Sequence, residues 1–593
     1  MRIRIPLIAA LVLCHLAIFA QTENDSVVHR NITIEREYNP VIMDAKKVNQ
    51  SLSISEPNVE KSKIEYSEYS APLTLTSPSA VLPQAPLTAM ARDNYKNGHA
   101  KLAIGLPLKW DVEFAYPLLN KKNSKLDFDF RNNGLVWDWG KGNQTDTTKN
   151  STSTLSNKKY IETDINLNFN HYFNNANFYI DLGYRNKTFN RYGTTQIFDS
   201  LSFNHLNSAT LGKELIKKEE NLNTVLTKIG CRSMPTNNFK YDANINYELF
   251  FMPEGYSEHQ FGINTMFDFI LKNKDYRIAF DFGMNNLLYG KMKNGIENLP
   301  KYSSTIHFSP RFLMTKKQLL LRAGIKTAFA IKREHTQVAN ISPDVEIEYF
   351  INPKMVSVYA GVGGDFELNS LREIYNQNCF ANEAEMLPDT YTPADFYAGV
   401  KVKPITFFFV DAYVHYKIIK NQHFFTNQTY ALENDPSDLR FSNSFVSQFY
   451  DTDLLKVGLN LNYNYKEKFS ATIKGQYNGW YLKGEAKTNG EKAWQRPTWE
   501  LNIGGDYNIT PDIRVAASYY LATGRYAKMP NGSALKMRNI HDINLSASYS
   551  YSSWLSAYLQ LNNVLGLAPK LRYQNWYGYD VVGSVMAGVV FSF

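Results

Sequence analysis

The chain has 593 residues, of which 14% are aromatic, and its formal net charge of +8 is spread along the sequence without a basic run. A nucleic-acid site concentrates basic residues on one face, so we expect no nucleic acid as a partner. Beyond the N-terminus no run of 18 or more apolar residues occurs, which excludes a membrane-spanning helix.

The N-terminus, MRIRIPLIAALVLCHLAIFAQT, has the arrangement of an export signal. Arg2 and Arg4 form a basic start, an apolar stretch follows, and Ala20 supplies the small residue that precedes a cleavage site. We therefore expect residues 1–20 to be a signal peptide and the mature protein to act outside the cytoplasm.

Residues 21–97 differ sharply in composition from the rest of the chain, because they contain no Gly, Phe or Trp but six Pro. Such a segment has little from which to build a core, so we expect it to be extended and to lie in the periplasm or the lumen. Its one patterned piece, NITIEREYNPVI (31–42), predicts a short strand that needs a partner edge. We expect Ile32, Ile34 and Tyr38 in this piece to contact a periplasmic partner protein by strand addition.

From residue 98 onward the sequence repeats one theme, a strand with an apolar face and a polar face. The stretches WELNIGGDYN (499–508), KVGLNLNYNY (456–465) and FKYDANINYE (239–248) all alternate in this way. A period of two is the period of a β-strand. Strands of this kind also occur in soluble sandwiches, so the alternation by itself leaves two all-β architectures open.

The connections between the strands decide between these architectures. Short polar turns such as PTNN (235–238) alternate with long segments at 190–222, 368–392 and 419–451. Transmembrane barrels have short periplasmic turns and long outer loops, and only a closed barrel leaves no unpaired backbone in lipid. We therefore predict an all-β fold, a transmembrane antiparallel β-barrel of about 22 strands over residues 98–593.

The chain ends in GSVMAGVVFSF (583–593), a strand whose apolar face includes Phe591 and Phe593. We expect this strand to close the barrel with that face toward lipid. The terminal pair of aromatic residues resembles the signal that barrel-assembly machinery reads on outer-membrane proteins. The simpler alternative is that Phe593 is only the last residue that faces lipid.

Two stretches resemble a known family. The ending LQLNNVLGLAPKLRYQNWYGYDVVGSVMAGVVFSF (559–593) resembles the last hairpin of TonB-dependent outer-membrane transporters, whose barrels have about 22 strands. EREYNPVIMDAKKVN (35–49) resembles the leader of a group of plugless, TonB-receptor-like barrel proteins. The resemblance implies the outer membrane of a Gram-negative bacterium. Because residues 21–97 contain no Gly and none of the family's plug motifs, we expect a plugless variant.

Aromatic residues concentrate in the predicted outer loop 421–450. Aromatic rings among Asn and Gln can stack on sugars or on a partner protein. This makes five residues candidate contacts for a ligand or partner: Phe424, Phe425, Tyr430, Phe441 and Phe445. The alternative is that the loop packs on itself or folds into the barrel mouth.

No His, Cys or acidic residues have the spacing of a metal site or a catalytic motif, so we expect no catalytic residue, metal or cofactor and predict that the protein is not an enzyme. The lumen-facing charges, among them Glu248 and Arg514, have mixed signs, and we expect His415 to be a hydrogen-bonding residue of the lumen. Opposite charges therefore either pair across the lumen or hold an inserted segment. Cys231 is expected near the periplasmic end of a strand and Cys379 in an outer loop, so no disulfide should join them.

These features predict a TonB-receptor-like transport protein or channel for an unidentified solute. An open lumen of this width would leak, so we expect it to be occluded by residues 21–97, by inward-folded loops or by a separate protein. The alternatives are a non-transporting scaffold in envelope biogenesis or secretion, and a surface adhesin that uses the aromatic loop. The expected partners are outer-membrane lipid, the barrel-assembly machinery and a periplasmic protein.

Overall fold

The computed structural model describes residues 98–138, 157–193, 219–234, 239–253, 255, 257–271, 275–290, 302–332, 337–382, 387–431, 439–466 and 468–593. The predicted signal peptide and the segment 21–97, with Ile32, Ile34 and Tyr38, lie outside the described residues.

The described residues form 26 strands. They are β1 (His99–Leu106), β2 (Lys109–Lys121), β3 (Ser124–Asp138), β4 (Asn157–Tyr172), β5 (Ala176–Asn190), β6 (Glu219–Ser233), β7 (Phe239–Phe251), β8 (Ser257–Ile270), β9 (Tyr276–Tyr289), β10 (Tyr302–Lys316), β11 (Leu319–Lys332), β12 (Gln337–Asn352), β13 (Val356–Glu367), β14 (Thr390–Ile405), β15 (Phe408–Ala431), β16 (Leu439–Tyr465), β17 (Phe469–Leu482), β18 (Trp499–Asn508), β19 (Ile513–Thr523), β20 (Tyr526–Lys528), β21 (Ala534–Lys536), β22 (Ile540–Ser550), β23 (Leu555–Asn562), β24 (Gln574–Trp576), β25 (Tyr579–Asp580) and β26 (Ser584–Ser592).

Helices are few and short in this part of the chain. They are the α-helices α1 (Leu371–Gln377) and α2 (Gly484–Thr488) and the 3-10 turns Val564–Leu567 and Pro569–Leu571. No helix among the described residues is long and apolar enough to cross a membrane.

Twenty-two of the strands form one closed antiparallel sheet, which confirms the predicted all-β barrel and its strand number. Each strand pairs with the next along the chain, and β20, β21, β24 and β25 stand apart as two small hairpins. The first and last strands close the ring, with His99 opposite Ser592 and Leu106 opposite Val585. Closure leaves no edge strand with unpaired backbone groups, as a barrel in lipid requires.

The two ends of the barrel have different connections. At one end the strands are joined by short turns, such as 122–123 and 317–318. At the other end the longest connections are 191–218, 368–389 and 563–583. We call the end with the long connections the outer end, because transmembrane barrels carry their long loops outside the cell.

The two faces of the wall have the predicted polarity. Large apolar side chains point outward, with Ile104 65%, Ile245 61% and Trp499 57% exposed. Polar side chains on the alternate positions are enclosed, and Lys456 and Glu500 are only 4% and 8% exposed. An apolar exterior around a polar interior is the arrangement of a transmembrane barrel.

Tyrosine side chains on the inner face lie against glycines of the neighbouring strand. A Cβ atom on Gly361 would be 2.5 Å from the Tyr397 ring, and one on Gly399 would be 2.4 Å from the Tyr359 ring. Only glycine, which has no Cβ atom, leaves room for these rings. The hydroxyl of Tyr397 donates a hydrogen bond to Glu346 at 2.7 Å, so the glycines allow rings to lie along the wall and to fix its acidic groups.

Candidate functional site at the outer mouth

The strands β15 and β16 extend past their neighbours at the outer end and remain paired as far as Ala431 and Leu439. The segment 421–450, which we predicted as a long loop, is therefore mostly a β-hairpin whose connection is 432–438. The prediction was wrong because beyond the lipid a strand needs no continuous apolar face. The sequence of a strand beyond the lipid therefore lacks the alternation that marks the membrane-spanning strands.

The structure places the five candidate aromatic residues on this hairpin. Four of them are buried, with side chains at most 2% exposed: Phe424, Phe425, Phe441 and Phe445. Tyr430 is half-buried. The hairpin thus packs on neighbouring segments, which is the second of the two alternatives that the sequence allowed. A role of these rings in binding a ligand or a partner stays a prediction.

Two of these rings belong to a hydrophobic cluster at the outer end of the barrel, which we call the lid core. Its buried members are Phe189, Leu222, Phe250, Leu371, Ile374, Tyr375, Phe380, Ala381, Leu387, Phe425, Phe445, Trp576 and Tyr579. They come from β5 to β7, from the segment 368–389, from the β15–β16 hairpin and from the segment 563–583. In a ring of 22 strands, β5 to β7 lie nearly opposite β15 and β16. The lid core therefore joins opposite walls across the outer mouth.

The helix α1 brings the segment 368–389 into the lid core. Ser370 caps the helix, because its side chain accepts a hydrogen bond from the backbone N–H of Glu373 at 3.2 Å. Leu371, Ile374 and Tyr375 are buried. Their spacing of three and four residues places them on one face of the helix, and that face contributes to the lid core.

Two acidic side chains of the barrel wall hold the start of α1. Glu258, which is 1% exposed on β8, accepts a hydrogen bond from the backbone N–H of Leu371 at 2.7 Å. Glu248 on β7 pairs with Arg372 at 2.8 Å. Negative charge is favourable at a helix N-terminus. For Glu248, the structure agrees with the alternative in which a lumen-facing charge holds an inserted segment.

Arg191, at the outer end of β5, ties the same segment to the wall. Its side chain is 1% exposed, and its Nε donates to Glu220 at 2.7 Å. Its two terminal nitrogens donate to the backbone carbonyls of Phe380 and of Ala381, the latter at 2.9 Å. Although burial opposes the charge, Glu220 raises the pKa of Arg191 above its ordinary value. Asn443 of the β15–β16 hairpin donates in turn to the Arg191 carbonyl at 2.7 Å.

Backbone hydrogen bonds join the segment 368–389 to the β15–β16 hairpin. Ala381 forms an isolated parallel bridge with Phe445. The N–H of Asn382 donates to the Phe445 carbonyl at 2.7 Å, and the N–H of Phe445 donates to the Phe380 carbonyl at 3.1 Å. The lid core is thus covered by bonded backbone as well as by packed side chains. We call the segment 368–389 and the β15–β16 hairpin together the lid.

The segment 563–583 is tied to the other outer connections. Arg525 donates to the carbonyl of Gln495 at 3.2 Å and to that of Gln574 at 2.6 Å. Burial lowers the pKa of this guanidinium to about 10. The contacts of Arg525 join three outer connections, 483–498 after β17, 524–539 after β19 and 563–583 after β23. The lid is therefore braced on a third side of the mouth.

Below the lid, the charged side chains of the inner face pair along the wall. Asp395 on β14 lies 3.1 Å from both His415 and Lys417 on the next strand. Arg514 pairs with Asp506 of the neighbouring strand at 2.8 Å. These pairs join adjacent strands rather than opposite walls. His415 is a hydrogen-bonding residue of the inner face, as the sequence predicted.

Both cysteines of the described chain are free, which confirms the prediction that no disulfide joins Cys231 and Cys379. Cys231 lies near the end of β6 that is away from the lid, and Cys379 lies in the segment 368–389. In the described part of the chain, no group of three or more His, Cys, Asp and Glu residues could hold a metal ion.

The terminal aromatic residues lie at the end with the short turns. Phe593 is 50% exposed, and its ring centre is 6.0 Å from that of Tyr116. Its backbone exchanges hydrogen bonds of 2.8 and 3.0 Å with Gly98, which completes the closing pair. Phe591 stacks on Trp554 at 6.3 Å. Recognition of Phe591 and Phe593 by assembly machinery stays a prediction.

No family model and no curated relative matches the sequence. Solved structures resemble the fold. A mutant of the ferric enterobactin receptor PfeA from Pseudomonas aeruginosa has a TM-score of 0.60 and 12% identity, over 84% of this chain and 80% of that chain. The siderophore receptor PirA from Acinetobacter baumannii has a TM-score of 0.59 and 10% identity, over 84% and 81%. The copper transporter OprC has a TM-score of 0.55 and 11% identity, over 84% and 80%. At these identities the likeness shows the fold alone.

Proposed function

We propose that this protein is a TonB-receptor-like transport protein of the outer membrane, which admits a solute through a barrel gated by its lid. The observation that carries the proposal is the lid core, which joins opposite walls above a polar inner face. A lid held by a limited set of contacts has a closed state and an open state, and a solute that favours one of them shifts the balance. The similarity to two receptors and a copper transporter supports transport rather than catalysis.

The apolar exterior supports a place in the outer membrane of a Gram-negative bacterium, with lipid around the barrel. On this proposal the barrel-assembly machinery recognises Phe591 and Phe593. A periplasmic protein would add a strand to Ile32, Ile34 and Tyr38. The protein is proposed to be plugless in the sense that residues 21–97 replace a full plug domain.

Single-channel conductance in planar bilayers tests the proposal with four versions of the mature protein: unchanged, without residues 21–97, with residues 371–382 replaced by a Gly-Ser linker, and with both changes. We expect the unchanged protein to be silent and the doubly changed protein to conduct. The two single changes show which element closes the pore. Replacement of the exposed tip 530–534 by the same linker is the matched control and should leave the protein silent.

If none of the four folded versions conducts, the result would contradict transport and favour the alternative of a non-transporting scaffold. A scaffold should then copurify with a stoichiometric partner protein, whereas a transport protein needs none. Heat-dependent migration in gels, which distinguishes closed barrels from unfolded chains, establishes that each version is folded.

A further inference from the structure

Two lysines lie on the inner face of the wall near the outer end, on the strands β2 and β4 that flank β3. Lys158 of β4 is directly opposite Trp137 of β3. Lys109, at the start of β2, is opposite Leu135, two residues before Trp137. Directly opposed residues, and residues two apart on one strand, share a face. Because Tyr160, two residues after Lys158, packs against the lid core, this is the inner face.

A third cation reaches the same place from the segment 563–583. The guanidinium of Arg572 lies 4.7 Å from the centre of the Trp137 ring, and its Nε donates to the Gly566 carbonyl at 3.1 Å. The ammonium of Lys158 lies 4.5 Å from the centre of the Tyr192 ring. We call Lys109, Lys158 and Arg572 the basic cluster.

The basic cluster has no acidic partner among the described residues. Within the described part of the chain, the ammonium of Lys109 donates one hydrogen bond, to the hydroxyl of Ser584 at 3.4 Å. The three carboxylates whose charges act on the cluster each accept a hydrogen bond from another residue: Asp111 from Lys101, Asp542 from Tyr573 and Asp580 from Gln574. All three cations are half-buried, so water screens them only in part.

The cations of the cluster also repel one another, since the charge of Lys158 is opposed by those of both Lys109 and Arg572. Like charges gathered in a half-enclosed place cost free energy that a bound anion would remove. An arginine fork and two ammonium groups can together bind several oxygens. The cation–π contact with Trp137 holds the guanidinium in place.

We propose that the basic cluster binds a multivalent oxyanion, a small solute with two or more carboxylate, phosphate or sulfonate groups, beneath the lid. The inference rests on the proposed function, because it names the chemical class of the solute. It also connects the solute to the lid: Tyr192, against which Lys158 lies, packs edge-on against Phe380 and Tyr579 of the lid core. An anion that draws Lys158 away from Tyr192 changes a contact of the closed lid.

Equilibrium dialysis of inorganic pyrophosphate against the full mature chain in non-ionic detergent tests the proposal. Overnight dialysis gives the anion time to pass a closed lid. We expect saturable binding, weakened about tenfold by each of Lys109→Gln, Lys158→Gln and Arg572→Gln, because each removes a charge-assisted contact. Arg572→Lys should lose less than Arg572→Gln. Lys536→Gln on the exposed hairpin strand β21 is the matched control and should bind as the unchanged protein does.

Absence of saturable binding to the folded protein would overturn the proposal. Equal affinity of the unchanged protein and the three cluster variants would overturn it as well. Because this experiment measures binding and not conductance, failure of the anion site can be told apart from failure of the proposed function. A barrel that conducts without its lid but binds no pyrophosphate would overturn the anion site and leave the proposed function standing.

Discussion

Replacement of Arg191 by Ala should loosen the lid. This side chain is 1% exposed and contacts Glu220 on β6 and the carbonyls of Phe380 and Ala381 in the lid. Without it, Glu220 remains almost enclosed, since its side chain is only 10% exposed, and it has lost its cation. The two lid carbonyls lose their donors at the same time.

The size of the effect follows from the cost of an unpaired buried charge. Removal of one partner of a buried ion pair costs about 3–5 kcal/mol. Each 1.4 kcal/mol corresponds to about tenfold in an equilibrium constant. This cost falls on the closed lid, because opening the lid returns Glu220 to water, so the population of the open lid should rise by about 10²-fold or more in Arg191→Ala. Arg191→Lys keeps the charge but loses the planar fork, so its open-lid population should lie between those of the unchanged protein and Arg191→Ala.

Alkylation of Cys379 measures this population. The residue packs against the lid core, and burial raises the pKa of its thiol to about 12. A closed lid therefore holds almost no thiolate near pH 8, whereas a released thiol has a pKa of about 8.5. The alkylation rate should follow the fraction of open lid. Cys231 in the barrel wall is the internal control, and its rate should not change.

The double variant Arg191→Met/Glu220→Gln separates the charge from the packing. Removing both partners leaves no unpaired charge, so the double variant should label more slowly than Arg191→Ala. The reasoning is refuted if Arg191→Ala, with its barrel folded, labels at Cys379 no faster than the unchanged protein.

Three further predictions concern pH, the barrel wall and assembly. The surrounding mouth desolvates the half-exposed side chain of Glu373 in α1 and, together with neighbouring carboxylates, raises its pKa to about 7, so the closed lid binds this proton more tightly than the open lid does. Lid closure should weaken as the pH rises from about 4.3 to 7, and the ratio of Cys379 labelling in the unchanged protein to that in Glu373→Gln should increase over this range. Gly361→Ala would place a Cβ atom 2.5 Å from Tyr397 and should cost about 1–3 kcal/mol, seen as a lower temperature of heat-modified gel migration. Gly363→Ala, whose Cβ meets Tyr397 only at 3.7 Å, should change little. Deletion of Phe593 should lower the amount of assembled barrel in the outer membrane, and Tyr551→Ala at another exposed ring should not; equal amounts would leave Phe593 as only the last lipid-facing residue.

The membrane explains which parts of the fold can be predicted from sequence. At the end with the short turns, the predicted turn 235–238 falls between β6, which ends at Ser233, and β7, which begins at Phe239. At the outer end the prediction fails, because the segment 421–450 was predicted as a loop, whereas β15 continues to Ala431 and β16 begins at Leu439. Lipid imposes strict alternation only within the apolar band, so the strand beyond it carries no such signal.

The lid was only partly predictable. The aromatic composition of the hairpin pointed to Phe425 and Phe445, but not to the rings of the opposite wall that they join. The contact of Arg191 with Phe380 spans 189 positions in the sequence, and no local pattern encodes such a pairing. One local signal was present: Ser370 and Glu373 have the Ser-x-x-Glu spacing of a helix start. It marks α1 inside a segment that we had treated only as a long connection.

The most direct test of the lid is the accessibility of the inner wall from outside the cell. Asn460→Cys places a thiol on the inner face of β16, beside Asp411, in a chain whose Cys231 and Cys379 are replaced by Ser. A membrane-impermeant maleimide added to intact cells should fail to label this thiol while the lid is present. It should label the thiol when residues 371–382 are replaced by the linker. Equal labelling of both proteins would show that the mouth is open and would contradict the account.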